Sequence, residues 1–285
     1  MQNVIEIEQA RQNINWKNLF IVVTFHLLTI PALFAFSWKN FVVMLIGNWI
    51  VGSLGVGLGY HRLLTHRSFK APKWLEYTLT AFGTMSMQDA PDKWVATHRI
   101  HHAFTETPRD PHSTRPGFWW AQIGWVVFGT AQDHDAATLR KYVPDLLKDK
   151  VHVFLSRYYL VPLILSGFLL YAIGGWSMVL WGVFVRVVVG WHTTWFVNSL
   201  AHIFGTRPFD TTDDSTNNWF VAVLTFGEGW HNNHHAFPTS ARHGLKWYQF
   251  DMNWLTIRLF KRLGWAKQIR LFDTEKPPVE LKRAA

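Results

Sequence analysis

The sequence predicts an all-α integral-membrane protein with four transmembrane helices in two hairpins under a cytosolic helical cap. Three observations predict it. Hydrophobic residues make up 49% of the 285, with 17 Trp and 22 Phe among them. They gather into four stretches of roughly the 20 residues that a helix needs to cross a bilayer. Nine of the 15 histidines fall in four short groups outside or at the ends of those stretches.

Residues 1–17 are polar and mixed in charge. No basic stretch runs into a short apolar core and a small-residue cleavage site, so no signal peptide is expected. The first span is 19–38 and the second 41–60, with only Lys39 and Asn40 between them. The third is 158–173 and the fourth 178–200, joined by a turn at 174–177. Neither hairpin turn carries much charge, while the segments outside them carry nearly all the Lys and Arg. By the positive-inside rule both termini and the long middle segment are cytoplasmic. Segments 61–157 and 201–275 then form the cap, and 1–285 reads as one domain. Two shorter apolar stretches, 74–87 and 117–131, are expected to be interfacial or re-entrant. The tail from about Lys276 is charged and expected to fray.

The absence of cysteine removes disulfides, iron–sulfur clusters and thiolate ligands, leaving His, carboxylates or water for any metal. The formal charge of +9 suits basic loops held against anionic lipid. No nucleic-acid-binding signature accompanies it.

The histidine groups are HRLLTH (His61, His66), HRIHH (His98, His101, His102), NSLAH (Asn198, His202) and HNNHH (His231, His234, His235). Positions i, i+3 and i+4 share a helix face, so each HxxHH aims three imidazoles at one point. His61 and His66 diverge by about 140° on an ideal helix; they converge only if the helix ends or bends between them. Topology adds an independent argument. His61 follows the second span and His202 ends the fourth. If 74–87 and 117–131 do not cross, all four groups lie on the cytoplasmic face. A single boundary histidine is ordinarily an interfacial polar tip, and His26, His134, His152 and His192 are read that way. Nine at helical spacing on one face have no packing explanation. They are too many for one ion and suit two ions with four or five nitrogens each. Two metals in a membrane favour redox chemistry on O₂, hence iron. The pattern differs from the Glu-x-x-His motifs of soluble di-iron bundles.

At these residues the sequence resembles the membrane fatty acyl desaturases, specifically the Δ9 group. The resemblance runs through GYHRLLTHRSFKAPKWLEY, DKWVATHRIHHAFTETPRDPH, GFWWAQIGW, NSLAHIFGTRPFD and LTFGEGWHNNHHAFPTSARHG, over roughly residues 40–250. It implies two irons held by the nine histidines, with Asn198 holding a metal-bound water. It implies a bent acyl tunnel lined by Gln88, Trp94 and Thr194, with Trp49 and Ser53 at its floor. The reaction it implies is O₂-dependent insertion of a cis double bond, at Δ9, into C16 or C18 acyl chains. Animal acyl-CoA relatives carry Arg and Asp just before HRxHH and a basic pair after the GFF-type motif. Here those places hold Ala96 and Thr97, and the uncharged stretch 128–132. A CoA head needs cations, so a glycerolipid-bound acyl chain is expected rather than acyl-CoA, although Arg62, Arg67 or Arg99 offer substitutes. The membrane is then a bacterial cytoplasmic membrane or a thylakoid.

The substrate methylene is unactivated, so no side chain can act on it as a base and the metal centre must drive the chemistry. Asp89, Asp92, Asp110, Asp214 and Glu228 are candidates to orient the imidazoles; Glu106 reads equally as such a group or as a solvated loop charge. No cytochrome b5-like domain is present, so electrons come from outside. Residues 236–285 hold ten Lys and Arg against four Asp and Glu, which fits an acidic ferredoxin, with cytochrome b5 as the alternative. A hydroxylase or ketolase would share the histidines. A membrane metal or haem transporter would need polar residues inside the spans, where Arg186 is the one clear charge.

Overall fold

The computed structural model describes residues 8, 11–128, 134–272 and 282–283. The first long helix, α1 (Trp16–Phe34), starts where the Asn15 side chain accepts from the backbone N–H of Asn18 at 3.1 Å. Ser37 caps α2 (Trp38–Thr65) in the same way, through the N–H of Asn40 at 3.1 Å. These caps explain why both helices begin a few residues before the expected 19 and 41.

From Trp49 to Thr65, α2 widens into i→i+5 pairing. That corrects the expectation for its end. The helix runs past His61 and ends at Thr65, with His66 as its cap. It is wound so that residues five apart share a face, and the two rings come within 4.7 Å.

Segment 74–87 is not among the helices long and apolar enough to cross a membrane. It forms α3 (Lys73–Thr84), which runs antiparallel along α2 with glycine at the contact. A Cβ on Gly55 would stand 2.4 Å from the Gly83 nitrogen, and one on Gly59 2.8 Å from the Leu79 oxygen. Only glycine lets the two backbones approach that closely. A turn at 85–90 follows. Met87 (φ 57°) and Asp89 (φ 81°) take left-handed conformations there. Then α4 (Pro91–Phe104) returns, with proline in its first turn.

The helical track α5 (Val161–His202) is 42 residues long. It breaks at Gly175 (φ 66°, ψ −162°), inside the expected turn. Past the break it folds back, so that a Cβ on Gly182 would meet Leu170 Cδ1 at 2.6 Å. Among the described residues, α1, α2 and α5 are the three helices long and apolar enough to cross a membrane. Their outward faces are apolar: Phe20, Leu33, Phe168 and Leu169 are between 61% and 71% exposed. That suits lipid rather than water.

Segment 120–127 packs under α1 and α5, burying Trp120 and Trp125 with Trp191 and Trp195. The cap adds α6 (His231–Ala236) and α7 (Met252–Arg262), the latter capped by Asp251. The side chain of Asn253 on α7 accepts from Ser53 Oγ at 2.6 Å, tying the cap to the middle of α2.

Candidate metal centre

Each histidine group comes from a different element. His61 and His66 close α2, His98, His101 and His102 ride on α4, His202 ends α5, and His231, His234 and His235 occupy α6. The fold sorts these nine into two clusters. His61, His66, His98, His102 and His234 form one, and His101, His202, His231 and His235 the other. The ligand nitrogens of each cluster lie within 4.8 Å of one another. The two HxxHH faces are shared out rather than aimed whole at one point, with His101 and His102 going to different clusters.

The Nε2 atoms face inward. Separations are 3.2 Å for His61–His234, 3.0 Å for His234–His102 and 3.2 Å for His102–His98. In the second cluster they are 3.0 Å for His202–His231, 3.0 Å for His231–His235 and 3.4 Å for His101–His235. Metal–imidazole bonds of about 2.0–2.1 Å put neighbouring nitrogens roughly 2.9–3.4 Å apart, from octahedral to tetrahedral. The clusters fit a metal ion each. His66 Nε2 is buried without a hydrogen-bond partner, as a nitrogen reserved for a metal would be.

Carboxylates fix the outer nitrogens. Nδ1 lies 2.6 Å from Glu228 in His61, 2.9 Å from Asp110 in His101, 2.9 Å from Glu106 in His202 and 2.8 Å from Asp213 in His235. A ring that donates from Nδ1 presents Nε2 as the lone pair. Burial, reinforced by neighbouring imidazoles, depresses the pKa of His98, His101, His102, His231 and His234, so these rings are neutral, as ligands must be. Burial opposes ionisation of Glu106 and Glu228 too, but their partners win. His202 and two hydroxyls hold Glu106 at about 2; Arg62, His243 and His61 hold Glu228 well below its usual value. Asp110, sealed at the base of its loop, is pushed up to about 7 by burial, which the N–H groups of Glu106 and His112 only partly offset.

Of the acidic candidates, Asp110 and Glu228 reach histidines. Asp89 lies 3.9 Å from Lys93, Asp92 accepts from the Lys93 N–H at 2.9 Å, and exposed Asp214 lies 3.9 Å from Arg115. Glu106, for which a solvated loop charge was the equal alternative, is 4% exposed and lies 2.9 Å from His202 Nδ1. Asp213, rather than its neighbour Asp214, meets His235. Sequence reasoning also missed His112 beside Asp110 and His243 beside Glu228. Nothing local marks Asp213, while DPH after the HRIHH helix did offer a signal for His112. The histidines read as boundary tips are partnered: His26 meets His192 at 3.0 Å, His134 meets Thr97 at 2.8 Å, and His152 is buried against Glu76 at 2.8 Å.

A cavity opens below the clusters. Asn198, His61, His98 and His231 line its upper end; Val51, Val187, Gly190 and Val197 line the rest. Gln88, Trp94 and Thr194 all line it and are linked. Trp94 Nε1 donates to Gln88 Oε1 at 3.2 Å, and Gln88 Nε2 to Thr194 Oγ1 at 3.0 Å. Gln88 also lines a second cavity, whose wall includes Lys17, Asn18, Lys93 and Tyr159. The floor differs from expectation. Trp49 turns outward, 38% exposed, and Ser53 is committed to Asn253, so neither lines the cavity. The wider winding of α2 presents Asn48, Gly52 and Val56 instead.

The fatty acid desaturase family model matches residues 36–262. The chain belongs to the fatty acid desaturase family. An sn-1 stearoyl-lipid 9-desaturase of Anabaena variabilis is 48% identical, over 94% of this chain and 98% of the relative. An sn-2 palmitoyl-lipid 9-desaturase of Nostoc sp. is 44% identical over 90% of each. An acyl-CoA 5-desaturase of Anemone leveillei is 45% identical, over 89% of this chain and 79% of that one. The desaturase is therefore an oxidoreductase, and its histidine clusters are placed to bind metal. Around the positions that set it apart from animal acyl-CoA relatives, Ala96 is fully buried and Thr97 nearly so. Phe128 is described; the rest of the uncharged stretch, 129–132, lies outside the described residues. Arg62 is fully buried between Glu228 and Asp251, and Arg99 is held by Asp145 and three carbonyls, so of the three substitute cations Arg67, paired with Asp145 at 2.8 Å, is the most exposed.

Proposed function

We propose that this desaturase holds two irons and uses O₂ to place a cis Δ9 double bond in C16 or C18 chains esterified to membrane glycerolipids. The observation that carries it is the pair of histidine clusters, of five and four nitrogens, over one end of a cavity deep in the apolar helices. In this reading the nine histidines are ligands and Asn198 holds a metal-bound water. The irons, when bound, supply the O₂-driven hydrogen removal that no side chain here can perform.

The protein's own contribution is geometric. Glu228, Asp110, Glu106 and Asp213 keep the imidazoles in one tautomer and aim. Valines and glycines in the cavity exclude water from the chain. Gln88, bonded to both Trp94 and Thr194, stands where the two cavities meet, so a chain entering between Lys17 and Lys93 must bend past it. Fixing one carbon pair there is what selects the product.

The likeness to lipid 9-desaturases and the internal commitment of Arg62 and Arg99 support a glycerolipid over acyl-CoA. The 42 residues of α5 would measure roughly 63 Å as one helix, twice a bilayer core. With the break at Gly175 they support two spans, hence four in two hairpins, with both termini on the metal side of a bacterial cytoplasmic or thylakoid membrane. A ferredoxin is the electron donor in this reading, with cytochrome b5 as the alternative.

The deciding experiment expresses the chain in a host lacking this activity and analyses fatty acids lipid class by lipid class. Purified enzyme with its reductant is then given labelled stearoyl-CoA or labelled phospho- or galactolipid. Conversion of the CoA ester and none of the lipid would overturn the substrate assignment. A hydroxylated product would overturn desaturation.

A further inference from the structure

Arg186 lies inside α5 and is 2% exposed. Among the described residues no carboxylate pairs with it. Its guanidinium is bonded to carbonyls: Nε donates to Gly182 O at 3.0 Å and Nη2 to Met85 O at 2.9 Å. Met85 is the residue that ends α3. A helix that ends at membrane depth leaves carbonyls that water cannot reach, and each costs free energy unless bonded. Arg186 supplies that bond from the helix opposite.

Two further residues of the same helix grip the same turn. Trp191 Nε1 donates to Met87 O at 3.2 Å, and Thr194 Oγ1 accepts from Gln88 at 3.0 Å. The turn needs holding, because Met87 and Asp89 both take left-handed backbone conformations that favour glycine. Arg186 and Gln88 also line the same cavity. Arg186 stands about 18 Å along the helix from Asn198, at 1.5 Å per residue. Its side chain reaches back toward Gly182, away from the clusters. One rigid helix therefore carries Asn198 at the metal end, two contacts to the turn, and Arg186 at the deep end.

We infer that Arg186 is a positioning residue for regioselectivity: it clamps the 85–90 turn to α5, and so fixes how far Gln88 stands from the metal clusters and which carbon pair lies beneath them. The inference rests on the desaturase reading above and adds to it a residue outside the metal ligands and the Gln88–Trp94–Thr194 set. The clamp acts on the turn's position and leaves the histidines untouched, so its loss alters where the double bond forms more than whether it forms.

The test reads double-bond position by mass spectrometry of derivatised products, alongside metal per chain, in the lipid-desaturating host. Arg186→Met keeps an unbranched apolar stem and removes the donors. It should raise the fraction of product with a displaced double bond roughly tenfold, the scale of one lost charged hydrogen bond. Arg186→Lys, which retains one cationic donor group, should give a smaller rise. Trp191→Phe, which removes the bond to Met87 and keeps an aromatic ring in the core, should shift the product in the same direction. A purely structural role would lower yield and metal content together and leave the isomer ratio at the wild-type value. Metal-loaded Arg186→Met with a wild-type ratio overturns the inference. If that variant fails to accumulate, a wild-type ratio in both Arg186→Lys and Trp191→Phe overturns it equally. A wild-type chain that forms no double bond at all would instead overturn the desaturase reading.

Discussion

Replacing Glu228 with Gln should strip one metal and spare the other. All the partners of Glu228 are donors. One oxygen takes His61 Nδ1 at 2.6 Å and His243 Nδ1 at 3.1 Å; the other takes Arg62 Nε at 3.0 Å and Asn253 Nδ2 at 2.6 Å. An amide offers one oxygen and one NH₂, so whichever way it turns, a donor faces a donor. Arg62 keeps Asp251 at 2.9 Å, so its side of the network survives better. Breaking a buried pair outright costs about 3–5 kcal/mol, and with Asp251 retained the lower end, about 3 kcal/mol, is expected. The loss at His61 is the functional one. Removing the group that orients a ligating histidine weakens metal binding about 10- to 100-fold, or roughly 1.4–2.7 kcal/mol. The assay is elemental analysis of purified protein across a chelator titration. The five-histidine cluster should empty at 10- to 100-fold less chelator than in wild type, leaving a plateau of one metal per chain, because the other cluster draws its carboxylates from Asp110, Glu106 and Asp213. Loss of both metals at the wild-type chelator concentration, with unchanged thermal stability, would refute the reasoning.

His101→Ala and His234→Ala, one in each cluster, should abolish product while the protein stays in the membrane; His26→Ala, whose ring bonds to His192 and a backbone carbonyl and lies outside both clusters, should cost far less, as product yield per unit protein will show. Gly55→Ala drives a methyl to 2.4 Å from the Gly83 backbone, which cannot rotate away, so detergent-solubilised protein should lose about 1–3 kcal/mol or more of stability in a melting assay. Turnover with ferredoxin should fall as ionic strength rises, because the exposed cations of the cap steer an acidic partner and salt screens them; a salt-independent rate would count against a charge-steered donor.

Much of this protein was legible in the chain order. The apolar stretches, the break near Gly175 and the grouping of nine histidines at helical spacings all follow from local patterns that each segment carries by itself, whereas the helices start at Asn15 and Ser37, a few residues ahead of the expected 19 and 41. The division of those histidines into five and four was not legible. It depends on how α4 and α6 cross, which sends adjacent His101 and His102 to different clusters. The pairing of His61 with His66 was hidden for another reason. The i→i+5 winding of α2 coincides with its packing against α3 and the cap, and no local pattern in the sequence was read as announcing it. The same winding moved the cavity wall from Trp49 and Ser53 to Asn48, Gly52 and Val56. The carboxylates divided likewise: Asp213 and Asp214 are equivalent in sequence, and only the path of the 211–216 loop decides which meets a histidine. Sequence by itself determined the residue types and the helices that bear them. The tertiary structure decided their partners, because a ligand set is a property of distances between segments, and those distances are fixed by backbone packing such as the contact of Gly55 on Gly83.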